Sequence, residues 1–160
     1  MVPLAELYEA DFYAWTRYQA RELKRLRGSR LNAEIDLGHL IEEVWGLGDS
    51  KRDACRSQAR RVLEHLLKLR YSPSARPRTG WKLSVVEARS ALDNQLSKTL
   101  ERDLQRHLGR LYVQARRAAV LGLENHAENQ APRLLPRECP FTLDDVLRDD
   151  WYPEPVVRVE

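Results

Sequence analysis

The sequence is poor in β-branched residues and in cysteine. It has 2 Ile and 4 Thr in 160 residues, against 25 Leu. β-Branched side chains lose rotamer freedom in a helix and Leu loses little, so this skew favours helices over strands. No segment sustains period-two alternation; Val156-Val157-Arg158-Val159 is β-like but short. Cys55 and Cys139 are the only cysteines. They form no disulfide framework and no C-x-x-C pair for zinc, so a reduced, cytoplasmic compartment is expected. No run of about 18 apolar residues is present to span a membrane. The opening Met1-Val2-Pro3-Leu4-Ala5-Glu6 lacks the basic and apolar regions of a signal peptide. Gly46-Leu47-Gly48 is too short for a phosphate loop, and neither G-x-S-x-G nor H-E-x-x-H occurs. No repeat of fixed period is visible.

What is present is Leu and Arg. Apolar residues make up 42% of the chain, enough for a core without disulfide or metal. Arg outnumbers Lys 22 to 5. The net charge of +3 hides an uneven distribution: −3 over residues 1–50, +11 over 51–120 and −5 over 121–160. The acidic end is expected to fold back over part of the basic middle.

Helical spacing predicts five main helices. The first starts at Asp11 as N-cap and ends at Gly28, with Phe12, Trp15, Gln19, Leu23 and Leu26 on one face. The second begins within 32–36 and carries Leu37, Leu40, Ile41, Val44, Trp45 and Gly48; Gly46 and Gly48 mark a break. The third is capped by Asp49 or Ser50 and runs to about Arg70, burying Cys55, Ala59, Val62, Leu63, Leu66 and Leu69. A turn-rich connector spans 72–80. The fourth helix holds Trp81, Val85, Ala88, Leu92, Leu96 and Thr99. The fifth holds Leu104, Leu108, Leu111, Tyr112, Ala115, Ala119 and Gly122, whose small residues predict close approach of a neighbouring helix. Prolines then divide an irregular strap, in which Thr142-x-x-Asp145 resembles a capping box opening one short helix. The expected fold is all-α: one domain, with a compact helical bundle over 1–122 and a Pro-rich strap over 123–160 packed on it.

Few side chains form a pattern with chemistry. If the second and third helices pack antiparallel, Glu42 or Glu43 meets His65 across the seam, a carboxylate–imidazole pair able to move protons. The ordinary reading of the same residues is a boundary salt bridge or solvated side chains, and it is the favoured one. A metal needs three or more ligands and the pattern names two, so no metal and no cofactor is expected. His39 and Glu43 share a face, again two groups only. His107 and His126 are isolated. Arg102, Arg106, Arg110 and Arg117 line one face of the fifth helix, and Arg52, Arg56 and Arg60 recur at every fourth position of the third. Such rows suit phosphates, because guanidinium pairs with them bidentately. No aromatics interleave them for base stacking, since Trp15, Trp45 and Trp81 fall on the expected core stripes. Cys55 reads as core, and Cys139 as a loop residue with nothing beside it to activate the thiol.

Several of these motifs recur together elsewhere. Leu7-Tyr8-x-x-Asp11-Phe12-Tyr13-x-Trp15, Asp36-Leu37-x-x-Leu40-Ile41-Glu42-Glu43, His65-Leu66-Leu67-Lys68 with Tyr71-x-Pro73, and Cys139-Pro140-x-Thr142-Leu143 resemble, in order, the bacterial family catalogued as domain of unknown function 29. The resemblance covers about Leu4 to Glu154. It implies an all-helical, stand-alone bacterial protein and no established activity, so no functional residue is carried over from it. The chain departs from the family pattern around His39, where an acidic or amide residue is typical, and at Trp45-Gly46, where the pattern stays acidic. A carboxylate-rich site is therefore poorer here. The leading expectation is a non-catalytic interaction protein acting on a protein partner or on itself. The alternatives are nucleic-acid association through the basic middle and an enzyme using Glu42 or Glu43 with His65.

Overall fold

The computed structural model describes residues 3–29, 34–125 and 130–160. Among these the chain is helical and has no strand. In order it forms α1 (Leu4–Ala10), α2 (Phe12–Arg27), α3 (Leu37–Tyr71), α4 (Arg78–Asp93), α5 (Lys98–Asn125), α6 (Ala131–Leu134) and α7 (Leu143–Leu147). Five are substantial, as the Leu-rich composition implies. They are not quite the five that periodicity predicts. α1 is an additional N-terminal helix, and the expected second and third helices are one continuous 35-residue helix, α3.

The chain divides into two compact units. One comprises Met1–Ala54 with Leu96–Arg102, and the other Cys55–Gln95 with Asp103–Glu160. α3 and α5 each contribute to both units.

In the first unit Asp11 acts as a double cap. One carboxylate oxygen accepts from Ala14 N at 2.9 Å, closing the start of α2 as expected, and the other accepts from Thr99 N at 3.3 Å in the first turn of α5. Tyr8 of α1 packs edge-on against Phe12 and Trp15. The buried residues of α2 are Thr16 and Ala20 rather than the large aromatics. The reason lies across the seam. A Cβ on Gly48 would sit 2.2 Å from Thr16 Oγ1 and 3.0 Å from an Arg17 guanidinium nitrogen. Gly48 is therefore no helix break; it lets α2 touch the α3 backbone. Gly46, expected to share its role, has nothing within 4 Å. Asp49, expected as an N-cap, lies inside α3 and pairs with Arg17 and Arg52.

In the second unit the core is built from Val62, Leu63, Leu66, Leu67 and Leu69 of α3, Trp81, Val85, Ala88 and Leu92 of α4, and Leu104, Leu111, Tyr112, Ala115, Ala119 and Leu123 of α5. The small residues late in α5 do mark a close approach: Gly122 lies against Lys68, whose Cε and Nζ would be 2.8 Å from an added Cβ. α4 ends at Asp93, and Ser97 Oγ accepts from Leu100 N to open α5, so Leu96 and Thr99 fall outside the fourth helix.

The strap is held by guanidinium groups on carbonyl oxygens. Arg89, only 2% exposed, donates from Nε to Val146 O (2.9 Å) and from its terminal nitrogens to Asp145 O (2.8 Å), Asp149 O (3.1 Å) and Trp151 O (2.8 Å). Arg116 donates to Leu135 O and Pro136 O, and the Tyr112 hydroxyl donates to Pro136 O at 2.6 Å. The Thr142/Asp145 capping box forms as expected and opens α7. The last residues run against the connector: Val156 N donates to Arg70 O, Glu160 N to Pro73 O, and Ala75 N to Glu160 O. Arg78 caps the end of α3 through Leu69 O and Ser72 O.

Two stability outcomes follow from this packing. Gly48→Ala should cost about 1–3 kcal/mol through overpacking, whereas Gly46→Ala should be neutral or gain up to about 1 kcal/mol of helix propensity. Urea midpoints of the two variants measure the contrast, and equal effects would remove the close-approach explanation. Arg89→Leu takes the donor from four carbonyls, one buried and three part-buried, and should cost roughly 3 kcal/mol or more. Arg89→Lys, with a point charge instead of a fork, should recover only part of that loss.

Candidate functional site

The carboxylate–imidazole pair requires a reversal of the chain between Glu43 and His65. There is none, because both lie on the unbroken α3. The expected convergence of Glu42 or Glu43 on His65 is corrected accordingly: no antiparallel seam exists to bring them together. Glu42 and Glu43 are exposed in the first unit. His65, in the second, is half-buried beside the Glu64–Lys68 ion pair (2.6 Å), with its Nδ1 buried and without a hydrogen-bond partner. Burial first, then the Lys68 charge, pushes its pKa down to about 4. At neutral pH it is an uncharged wedge. Lys68, which the sequence pattern passes over, is the more unusual group: a nearly buried ammonium held between Glu64 and Gly122.

His39 does not use Glu43. Its Nδ1 contacts Asp36 Oδ2 at 2.5 Å, and Asp36 Oδ1 accepts from His39 N at the start of α3. The hydrogen bond to Asp36 raises the His39 pKa above 6.5, and the same bond lowers that of Asp36. The signal for this was present in the sequence, as an Asp at the N-cap position with His at its third helical residue. No group of three or more His, Cys, Asp or Glu able to hold a metal occurs among the described residues.

The two arginine rows differ in fate. Arg52 pairs with Asp49 and Asp53, and Arg56 makes a two-pronged bridge to Asp103 (2.7 and 2.6 Å), leaving Arg60 the exposed member of its row. His107, isolated in sequence, joins that bridge: its Nδ1 lies 2.8 Å from Asp103 O and 3.3 Å from an Arg56 nitrogen. His126 lies outside the described residues. The α5 row stays open. Arg102, Arg106, Arg110 and Arg117 are all exposed, and none is in an ion pair among the described residues. The strap does pack over the basic middle, but it meets Arg89 and Arg116 through carbonyls. Its own Asp144, Asp149, Asp150 and Glu154 face solvent. Cys55 is core. Cys139 is half-buried and donates to Phe141 O, and burial raises its thiol pKa, so it is no activated nucleophile.

A concave site lies elsewhere, in the first unit between α2 and the opening turns of α3. Two adjoining hollows, about 460 and 490 Å³, share Arg27 and Gly38. The first is floored by Leu23, Leu26, Ile35, Leu37 and Leu40, and the second is lined by Lys24, Ile41, Glu42, Trp45, Gly46 and Asp49. Leu26 is 45% exposed, Ile35 58% and Trp45 39%. Leu26 and Trp45 were both expected in the core. Trp45 is instead covered on one side by the Arg17 guanidinium, 4.1 Å from the ring centre, with Lys24 at 5.1 Å; Arg17 also donates to Trp45 O. The sequence pattern missed this groove because its leucines and tryptophan sit at ordinary core spacing.

The comparisons agree with the fold. A sequence model of the family described as Domain of unknown function DUF29 matches residues 7–152, and the chain belongs to that family. The crystal structure of an alpha-helical protein of unknown function from Rhodospirillum rubrum is similar, with a TM-score of 0.79 and 27% identity, covering 89% of this chain and 90% of that one. No curated protein matches. Among the described residues no helix is long and apolar enough to cross a membrane.

The two perturbed histidines carry opposite pH signatures. His65 binds fewer protons folded than unfolded, so it removes stability as pH falls from 6.5 towards about 4. The His39–Asp36 pair stabilises fully between about 3.8 and 6.5, losing the Asp36 part below and the His39 part as pH rises through its raised pKa. Histidine NMR titration should place His65 near 4 and His39 above 6.5, with Asp36→Asn returning His39 to the ordinary value. Two histidines titrating together near 6.5 would contradict both environments.

Proposed function

We propose that the protein is a non-catalytic interaction module that docks an amphipathic helix of a partner protein in the α2/α3 groove of its first unit. The observation carrying this reading is the half-exposed apolar floor of Leu26, Ile35 and Leu40 in the hollow between α2 and α3. Charge specifies the occupant further. The α2 wall presents Lys24 and Arg27, while the α3 wall presents Asp36 and Glu42. A docking helix therefore needs apolar anchors at i, i+3 or i+4, and i+7, acidic residues along one edge and basic residues along the other. Gly46, with open space over it, lets that helix approach the α3 backbone closely.

Selection from a library of helix-forming peptides tests this. Enriched sequences should carry that pattern, and Leu26→Glu or Ile35→Glu should weaken their binding at least tenfold. Both positions are at the surface, so circular dichroism should be unchanged. Binding that survives both substitutions, or a library yielding no helical pattern, would sink the proposal. A dimer in light scattering that the same substitutions dissociate would reassign the groove to a second copy of the chain.

A further inference from the structure

The open arginine row on α5 calls for a different partner. Within the second unit Arg106, Arg110 and Arg117 lie within about 40° of one another around the helix axis, at 100° per residue, and span roughly 16 Å along it. All three are exposed and none is paired with a carboxylate among the described residues, although the same unit carries exposed Asp144, Asp149, Asp150 and Glu154. The strap that could have neutralised them is committed elsewhere through its carbonyls. Gly109 sits beside the row in the middle of a long helix, with nothing within 4 Å of where its Cβ would be. Glycine weakens a helix interior, and here no intramolecular contact requires it. Gly109 lies about 60° around the helix from Arg106, so one flank of the row stays low and unobstructed for the approach of a rigid polyanion.

We infer that this face of α5 binds the phosphate backbone of duplex DNA without reading its sequence. The cations are all Arg, whose planar fork matches a phosphate bidentately. No aromatic side chain lies in the row, so stacking of unpaired bases has no platform and a duplex is favoured over a single strand. Val113, exposed on the same face, offers no hydrogen bond, so the polar contacts available are guanidinium groups on backbone oxygens, which position a protein but carry no sequence information.

Fluorescence anisotropy with the full chain and a labelled 20-base-pair duplex of mixed sequence tests this. Three phosphate contacts predict that affinity falls roughly 40-fold between 50 and 200 mM salt, with a logarithmic slope near −2.7. Replacing Arg106, Arg110 and Arg117 together by Gln should abolish most of that slope. A control removing equal charge from exposed positions elsewhere, Arg76→Gln with Arg133→Gln and Arg158→Gln, should change it little. Gly109→Gln, which adds bulk but no charge, should weaken binding about tenfold. Equal losses in the two triple variants would attribute binding to net charge and overturn the proposal. So would no binding at 50 mM salt, tighter binding of a single strand, or an acidic helical peptide that binds more tightly at the same salt and is lost in the Arg106, Arg110 and Arg117 triple variant.

Discussion

The buried guanidinium of Arg89 is the interaction on which the second unit depends. A guanidinium cannot shed its charge, so burying one demands acceptors on most of its donors. Here the acceptors are four backbone carbonyls at and just beyond α7. The arrangement solves two problems together. It satisfies a cation in a place water does not reach, and it satisfies carbonyls at the end of a short helix that has few partners of its own. Desolvation lowers the Arg89 pKa, while Asp149, Asp145 and Asp150 nearby act in the opposite sense. With that anchor set, α7 packs Leu143 and Val146 into the core, and Trp151 reaches the edge of Phe141.

Arg116, Arg78 and Arg17 extend the same principle. Each donates to main-chain oxygens at the end or flank of another segment. This changes the meaning of the +11 middle. Three of its cations, Arg78, Arg89 and Arg116, hold the chain's own irregular parts, bound to dipoles rather than to anions. Carbonyl acceptors leave Asp149, Asp150 and Glu154 of the strap exposed, so the molecule keeps exposed charge of both signs.

The helical class, the Asp11 cap, the Thr142 capping box and most of the second unit's core were legible in the sequence, because each rests on local spacing. Three features were not. Gly46 and Gly48 read as a break, since glycine weakens a helix in isolation. Packing overrides that weakness when the missing Cβ admits Thr16, and only the fold distinguishes the two glycines. The α2 stripe was read from its largest apolar residues, whereas the tight contact uses Thr16 and Ala20 and leaves Leu26 in the groove. Arg56 looked like one step of a phosphate-tracking row, and its partner Asp103 lies 47 positions away. Pairing Glu42 or Glu43 with His65 requires a turn between them, and periodicity cannot supply one. The α5 row was read correctly as a face; whether anything covered it depended on contacts between distant segments.

The second unit is assembled from two separated stretches of chain, 55–95 and 103–160. On a ribosome, Arg89 emerges long before the carbonyls that will receive it, 56 to 62 positions later. Until then α4 carries a charge on the face that must become core. Burying that face without the strap would leave an unpaired cation in the core. The segment that carries those carbonyls is therefore the one that lets the core close around Arg89.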